Sequence, residues 1–200
     1  SPYIMRWPGR IPAGSVSDAL VSGIDFTPTV LDVLGIEPIV DADGRSMKHT
    51  IMEGAEQYDD IFTLFFKTNN NHITHRALHF PMRCVQNKRF AYIFNAWSDG
   101  ETTFLNESTE GLTFKAMEKA AETDSYIRHR VDFFKYRVTE ELYDYVTDPH
   151  AKNNLIEKQE YQELLNRLRV RMYQYMKQSQ DGLIDSFYQK VVKPNGLDVQ

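Results

Sequence analysis

Three of the six histidines in the 200-residue chain fall in one short polar run, Lys67 to His79, together with three asparagines and Arg76. His72, His75 and Arg76, with His79 and Arg83 close behind, gather hydrogen-bonding and cationic groups suited to an anion or a polyhydroxylated ligand. The same composition also fits a solvated surface loop without a ligand. His75 and Arg76 rank first as candidate binding residues and His72 next, while His79 alternates toward the following strand and is expected to be packed. The remaining polar groups offer less. Asp59-Asp60 is a carboxylate pair beside a strand, of a kind that can hold a hard divalent cation, but no further oxygen-rich motif accompanies it. Asp148-Pro149-His150 reads as a structural turn before a helix. Cys84 is the single cysteine, which excludes an internal disulfide framework, and its apolar strand position favours an inert buried thiol. There is no His-x-x-x-His on an amphipathic helix, no glycine-rich phosphate cradle and no Gly-x-Ser-x-Gly elbow.

These groups need a frame, and the clearest piece of it is Leu78 to Trp97. Alternating residues through Met82, Cys84 and Val85 meet a polar knot at Gln86 to Arg89, and the aromatic run Phe90 to Phe94 follows, which is the pattern of a β-hairpin. Two strands cannot stand alone, so other elements must cover them. Ile61 to Phe66 is β-prone and apolar on both faces and is placed beside the hairpin. Tyr3 to Arg6 is read as an opening strand and Leu142-Tyr143 as a short one. Thr27-Pro28 to Gly35 spells a short helix, with Thr27 as cap and Gly35 as left-handed stop. Leu112 to Arg137 is helical in composition. Tyr161, Leu164, Leu165, Leu168, Met172, Tyr175 and Met176 recur at helical spacing, predicting a long helix over about 158–178 laid on the sheet by that face. Arg167, Arg169 and Arg171 are expected on its solvated side. Residues 181–200 read as an irregular, docked extension. The fold class is therefore α+β, a small antiparallel sheet packed against a long C-terminal helix.

Composition sets outer limits. With 42% hydrophobic residues the chain can bury one ordinary core. Net charge is −5 with no long block of one sign, which argues against a nucleic-acid partner, and no apolar run approaches the roughly 20 residues of a membrane span. The opening residues already look like the interior of a protein, so the chain is read as a piece of something longer.

Four separated segments carry a resemblance: Pro2 to Ile36, Gly44-Arg45-Ser46, Phe80 to Asn95, and Glu141 to Leu155. In order and spacing they resemble the C-terminal part of a sulfatase, most closely the sulfamidase (heparan N-sulfatase) branch, on Pro81-Met82-Arg83 and on Glu141 to Asp144 with Asp148-Pro149-His150. The resemblance implies an alkaline-phosphatase-like architecture in which residues 1–36 end the large α/β domain, 37–180 form the C-terminal subdomain and 181–200 a tail. It implies hydrolysis of N- or O-sulfate on glycans such as heparan sulfate, in a full-length enzyme with Ca²⁺ and a formylglycine made in a Cys/Ser-x-Pro-x-Arg motif. That motif is absent here, since Val85-Gln86-Asn87 follows Cys84. Nucleophile and metal ligands are therefore expected upstream, in the N-terminal sulfatase domain as partner, and this stretch alone is expected to be inactive. An exported, periplasmic or lysosomal location is implied in the same way. A non-catalytic glycan-binding or structural module is the alternative.

Overall fold

The computed structural model describes residues 3–71 and 76–199, with the side chains of 66–71 and 76–78 excepted. The chain forms two compact units, residues 1–61 and 62–200.

The first unit contains two short helices, α1 (Phe26–Leu34) and α2 (Lys48–Glu53). Gly35 closes α1 at φ 68°, the left-handed region where a Cβ is unfavourable, as the sequence predicts. The helix is capped at Asp25, ahead of the expected Thr27 cap. Asp25 is fully buried, and its carboxylate accepts from the Ser22 and Arg45 amides and from the Tyr58 hydroxyl at 3.0, 3.1 and 2.6 Å. Thr29 extends this hub, donating to the Asp25 carbonyl and accepting from the Met47 amide. Gly44 must be glycine: a Cβ there would lie 2.1 Å from the Ile24 carbonyl oxygen. The expected strand at Tyr3–Arg6 is irregular instead. A β run becomes a strand only by pairing, and among the described residues no neighbouring strand is offered to it.

The second unit is a four-stranded sheet in sequential order, β1 (Asp60–Asn71), β2 (Arg76–Asn87), β3 (Phe90–Asn95) and β4 (Glu140–Asp144). β2 and β3 are antiparallel with Cys84 opposite Ile93, and β3 and β4 are antiparallel with Ile93 opposite Glu141. The expected polar knot is the hairpin turn: the Asn87 side chain accepts from the Arg89 and Phe90 amides at 2.8 and 2.7 Å. The polar run Lys67 to His79, expected as a loop, is mostly strand, because β1 continues to Asn71 and β2 starts at Arg76. Ladder pairing satisfies backbone groups whatever the side chains, and it overrides the low β-propensity of asparagine.

Helix α6 (Gln162–Gln178) crosses one face of the sheet with Leu165, Leu168, Met172 and Met176 buried against Val85, Tyr92, Phe94 and Leu142. Each such side chain contributes about 1.5–3 kcal/mol by burial. The extension beyond residue 180 is helical, not irregular: α7 (Ile184–Phe187) runs into a π-helical turn, Tyr188–Val192. Phe187, Val191 and Val192 fill the same core, with Phe187 edge-on to Phe94 at 4.9 Å. Between β3 and β4 lie α3 (Glu107–Glu110), α4 (Leu112–Ala120) and α5 (Ser125–Tyr136). Asp124 caps α5 by accepting from the Tyr126 and Ile127 amides. Among the described residues no helix is long and apolar enough to cross a membrane.

Candidate functional site

Strand alternation sends adjacent residues of β4 to opposite faces. Glu140 points to the α6 side and Glu141 to the other, where a cleft of about 630 Å³ lies between the sheet and α4–α5. Its floor is Ile93, Glu141 and Tyr143, with Tyr145 beyond the strand. Phe114 and Met117 of α4 and Phe133 and Phe134 of α5 form the apolar wall. Arg130 and Arg137 supply the cationic groups and His150 an imidazole, with Ser108 and Thr113 at the edge.

Glu141 is fully buried and organises the floor. It accepts from Asn95 Nδ2 and from the Tyr143 hydroxyl, both at 2.6 Å, and from Arg137 Nη1 at 3.2 Å. Asn95 Nδ2 also donates to the Val138 carbonyl, tying the floor to the chain that enters β4. Arg137 follows α5 with φ 53° and ψ −167°, a conformation that costs a non-glycine residue about 1–3 kcal/mol and persists only when its surroundings enforce it. The enforcement is visible: its amide donates to the Phe133 carbonyl, its guanidinium pairs with Glu141, and that group lies 5.3 Å from the Phe133 ring centroid.

None of the floor groups is a nucleophile at neutral pH. Cys84, opposite Ile93 on β2 and outside the cleft lining, is inert too: burial, aided by the Glu141 charge, pushes its thiol up to about 12, so it stays protonated. Burial and the same carboxylate raise the Tyr143 hydroxyl, which is committed as a donor. A carboxylate engaged by three donors, a protonated hydroxyl and aromatic walls form a surface suited to holding a ligand. Among the described residues no three His, Cys, Asp or Glu side chains come together as a metal site. Asp148, one carboxylate near the rim, accepts instead from the Lys152 and Asn153 amides and holds the expected turn.

Of the residues predicted from sequence as binders, His72 and His75 lie outside the described residues. Arg76 opens β2, but its side chain is also outside them. His79 sits on β2 with an exposed side chain. The cleft residues Arg130, Arg137, Glu141 and Tyr143 were missed, and His150 was read only as part of a turn. A detectable signal existed for Glu141: it precedes Leu142 and Tyr143 in a strand, so alternation alone would have placed one of the two glutamates inward.

Solved structures with this fold identify its class. One, determined with its substrate D-glucosamine-2-N,6-O-disulfate, superposes with a TM-score of 0.59 at 21% identity, over 90% of this chain and 28% of its own length. Another, a 4S-sulfatase from a Bacteroides thetaiotaomicron study of glycosaminoglycan metabolism, gives 0.57 at 19% identity over 94% of this chain and 32% of its own. The fold is that of the C-terminal part of a sulfatase. More particularly, the chain belongs to the family described as N-sulphoglucosamine sulphohydrolase, C-terminal, which matches residues 1–106. An ulvan-active sulfatase of Formosa agariphila is 27% identical over 196 residues, covering 98% of this chain and 36% of the relative. Human N-sulphoglucosamine sulphohydrolase is 25% identical over 178 residues, covering 84% of this chain and 34% of the relative. The chain thus spans about a third of the length of these curated relatives.

Proposed function

We propose that the whole protein is a hydrolase of sulfate groups on glycans, N-linked or O-linked, and that this chain completes its substrate cleft. The observation that carries the reading, beside the family, is a cleft whose floor is built to hold a ligand: a raised tyrosine and a carboxylate occupied by three donors. The nucleophile, formylglycine by the family pattern, and the calcium ligands then belong to the N-terminal domain. When bound, the metal would balance negative charge developing on the transferred sulfuryl group. The chain described here would supply binding and exclusion of water, and alone it would be inactive.

The names of the relatives supply the substrate panel. Sulfate release by the full-length protein from N-sulfated glucosamine, 6-O-sulfated N-acetylglucosamine and ulvan oligosaccharides, followed by ion chromatography, tests the reading. The expected result is turnover of at least one. Silence on all three, with an upstream sequence lacking Cys/Ser-x-Pro-x-Arg, would leave the non-catalytic glycan-binding module as the account of the cleft.

A further inference from the structure

The arginines of the sheet unit differ in how completely their donors are used. Arg169 has all three guanidinium nitrogens engaged, Nε and Nη2 on Glu140 at 2.7 and 2.8 Å and Nη1 on Asn166 and Asn195 at 3.0 Å. Arg83 is also complete, with Nε and Nη2 on Asp181 and Nη1 on the Met82 carbonyl. Arg137 engages described residues through Nη1 alone, on Glu141. Arg130, on the same cleft, reaches only the Lys152 carbonyl at 3.5 Å among the described residues. A guanidinium with its outer edge unused, fixed by a buried carboxylate and a strained backbone, is a preorganised anion receptor.

Resting on the sulfatase reading above, we propose that Arg137, Arg130 and His150 form an anion subsite for an acidic glycan, taking the sulfate or carboxylate of a sugar other than the one that loses sulfate. The wall of Phe133, and Tyr145 beyond the floor, suit the apolar face of a sugar ring, while Arg137 and Arg130 present donors in the fork geometry that carboxylate and sulfate accept. Arg137 here is a binding residue and Glu141 a positioning residue acting through it.

The test compares an acidic tetrasaccharide with a single-sugar sulfated substrate in the full-length protein, using Arg137→Gln, Arg130→Gln and the double variant Arg130→Gln/His150→Gln. Removing these side chains should raise KM for the tetrasaccharide about 10- to 100-fold with kcat within twofold, a change well beyond any in the single-sugar kinetics. The double variant leaves Glu141 paired, so it decides the matter if Arg137→Gln does not fold. Unchanged tetrasaccharide KM in that variant, or a parallel loss on the single sugar, overturns the subsite. A carboxyl-reduced tetrasaccharide and one that keeps only its scissile sulfate name the anion: the one that erases the difference between wild type and variant carries the contact, and if neither erases it the subsite is again overturned. If the wild type releases no sulfate from any substrate, the sulfatase reading has failed, and tetrasaccharide affinity by calorimetry then judges the subsite: equal Kd for wild type and double variant rejects it.

Discussion

Glu140 and Glu141 are neighbours in sequence and face opposite sides of one sheet, each against an arginine, yet the two sides are differently made. On the α6 side Glu140 and Arg169 meet bidentately, the Tyr92 hydroxyl donates to the same carboxylate, and an aromatic and aliphatic core surrounds them. On the cleft side Glu141 holds Arg137 by one nitrogen, beside open space. The first arrangement is closed and can only contribute to stability and to fixing α6 on the sheet. The second leaves guanidinium donors beside open space, where an anion can be accepted.

The two faces should separate most visibly at Arg169. Arg169→Met would leave Glu140, 15% exposed at its side chain, as a buried charge without its partner, a loss of about 3–5 kcal/mol. Urea unfolding followed by the fluorescence of buried Trp97 measures it, and adding Glu140→Gln should recover much of the loss. A single-variant loss below about 1 kcal/mol would erase the distinction between the faces.

A smaller effect is expected at the second closed pair. Burial pushes the Asp181 carboxyl up, but Arg83 and the Leu183 amide outweigh it and hold it below the ordinary carboxylate range. Because the folded value is the lower one, the stabilisation is fully present above the unfolded carboxylate pKa of about 3.9 and is lost as pH falls through the folded value. Asp181→Asn should therefore cost about 1.5–3 kcal/mol at neutral pH and flatten the acid side of the stability curve below the unfolded carboxylate value. Acid titrations of both proteins, read by Trp97 fluorescence, check the sign.

On the cleft side the effects on stability shrink further. Arg137→Gln should cost about 1–3 kcal/mol, at the low end because Asn95 and Tyr143 still donate to Glu141. Arg130→Gln should stay within about 0.5 kcal/mol of wild type while raising KM for the acidic glycan. If Arg130→Gln destabilised the fold as much as Arg169→Met, the open face would be structural after all.

How much of this was legible beforehand depends on whether neighbours in space are neighbours in sequence. The hairpin and α6 were readable because periods of two and 3.6 are local properties of the chain. Arg169 was misread as solvated, although it lies four residues after Leu165 and three before Met172, both buried, so the helical period itself placed it inward. Its charge outweighed its position in the reading, and the partner that makes burial tolerable, Glu140, lies 29 residues away. The cleft was not readable for a related reason: Arg130 from the middle of α5, Arg137 from just past its end, Glu141 from β4 and His150 from the following turn converge only after β4 pairs with β3. The histidine-rich run was read as a loop by composition, and strand pairing reclaimed most of it.

The pairing of Arg83 with Asp181 also sets an order of events during synthesis. The two residues are 98 positions apart, and Phe187, Val191 and Val192, which fill the core against β3, follow Asp181. A ribosome adding about 5–20 residues per second delivers β2 and β3 several seconds before these groups, so for that interval the aromatic face of the hairpin has at most α6 to cover it. Loss of residues 181–199 would make the wait permanent, leaving Tyr92 and Phe94 without Phe187 and Arg83 without its carboxylate. A nascent chain stalled near residue 180 should accordingly be held by hydrophobic-binding chaperones and be cleaved readily by protease. One that has emerged past residue 192 should acquire resistance in a single step, late rather than gradually.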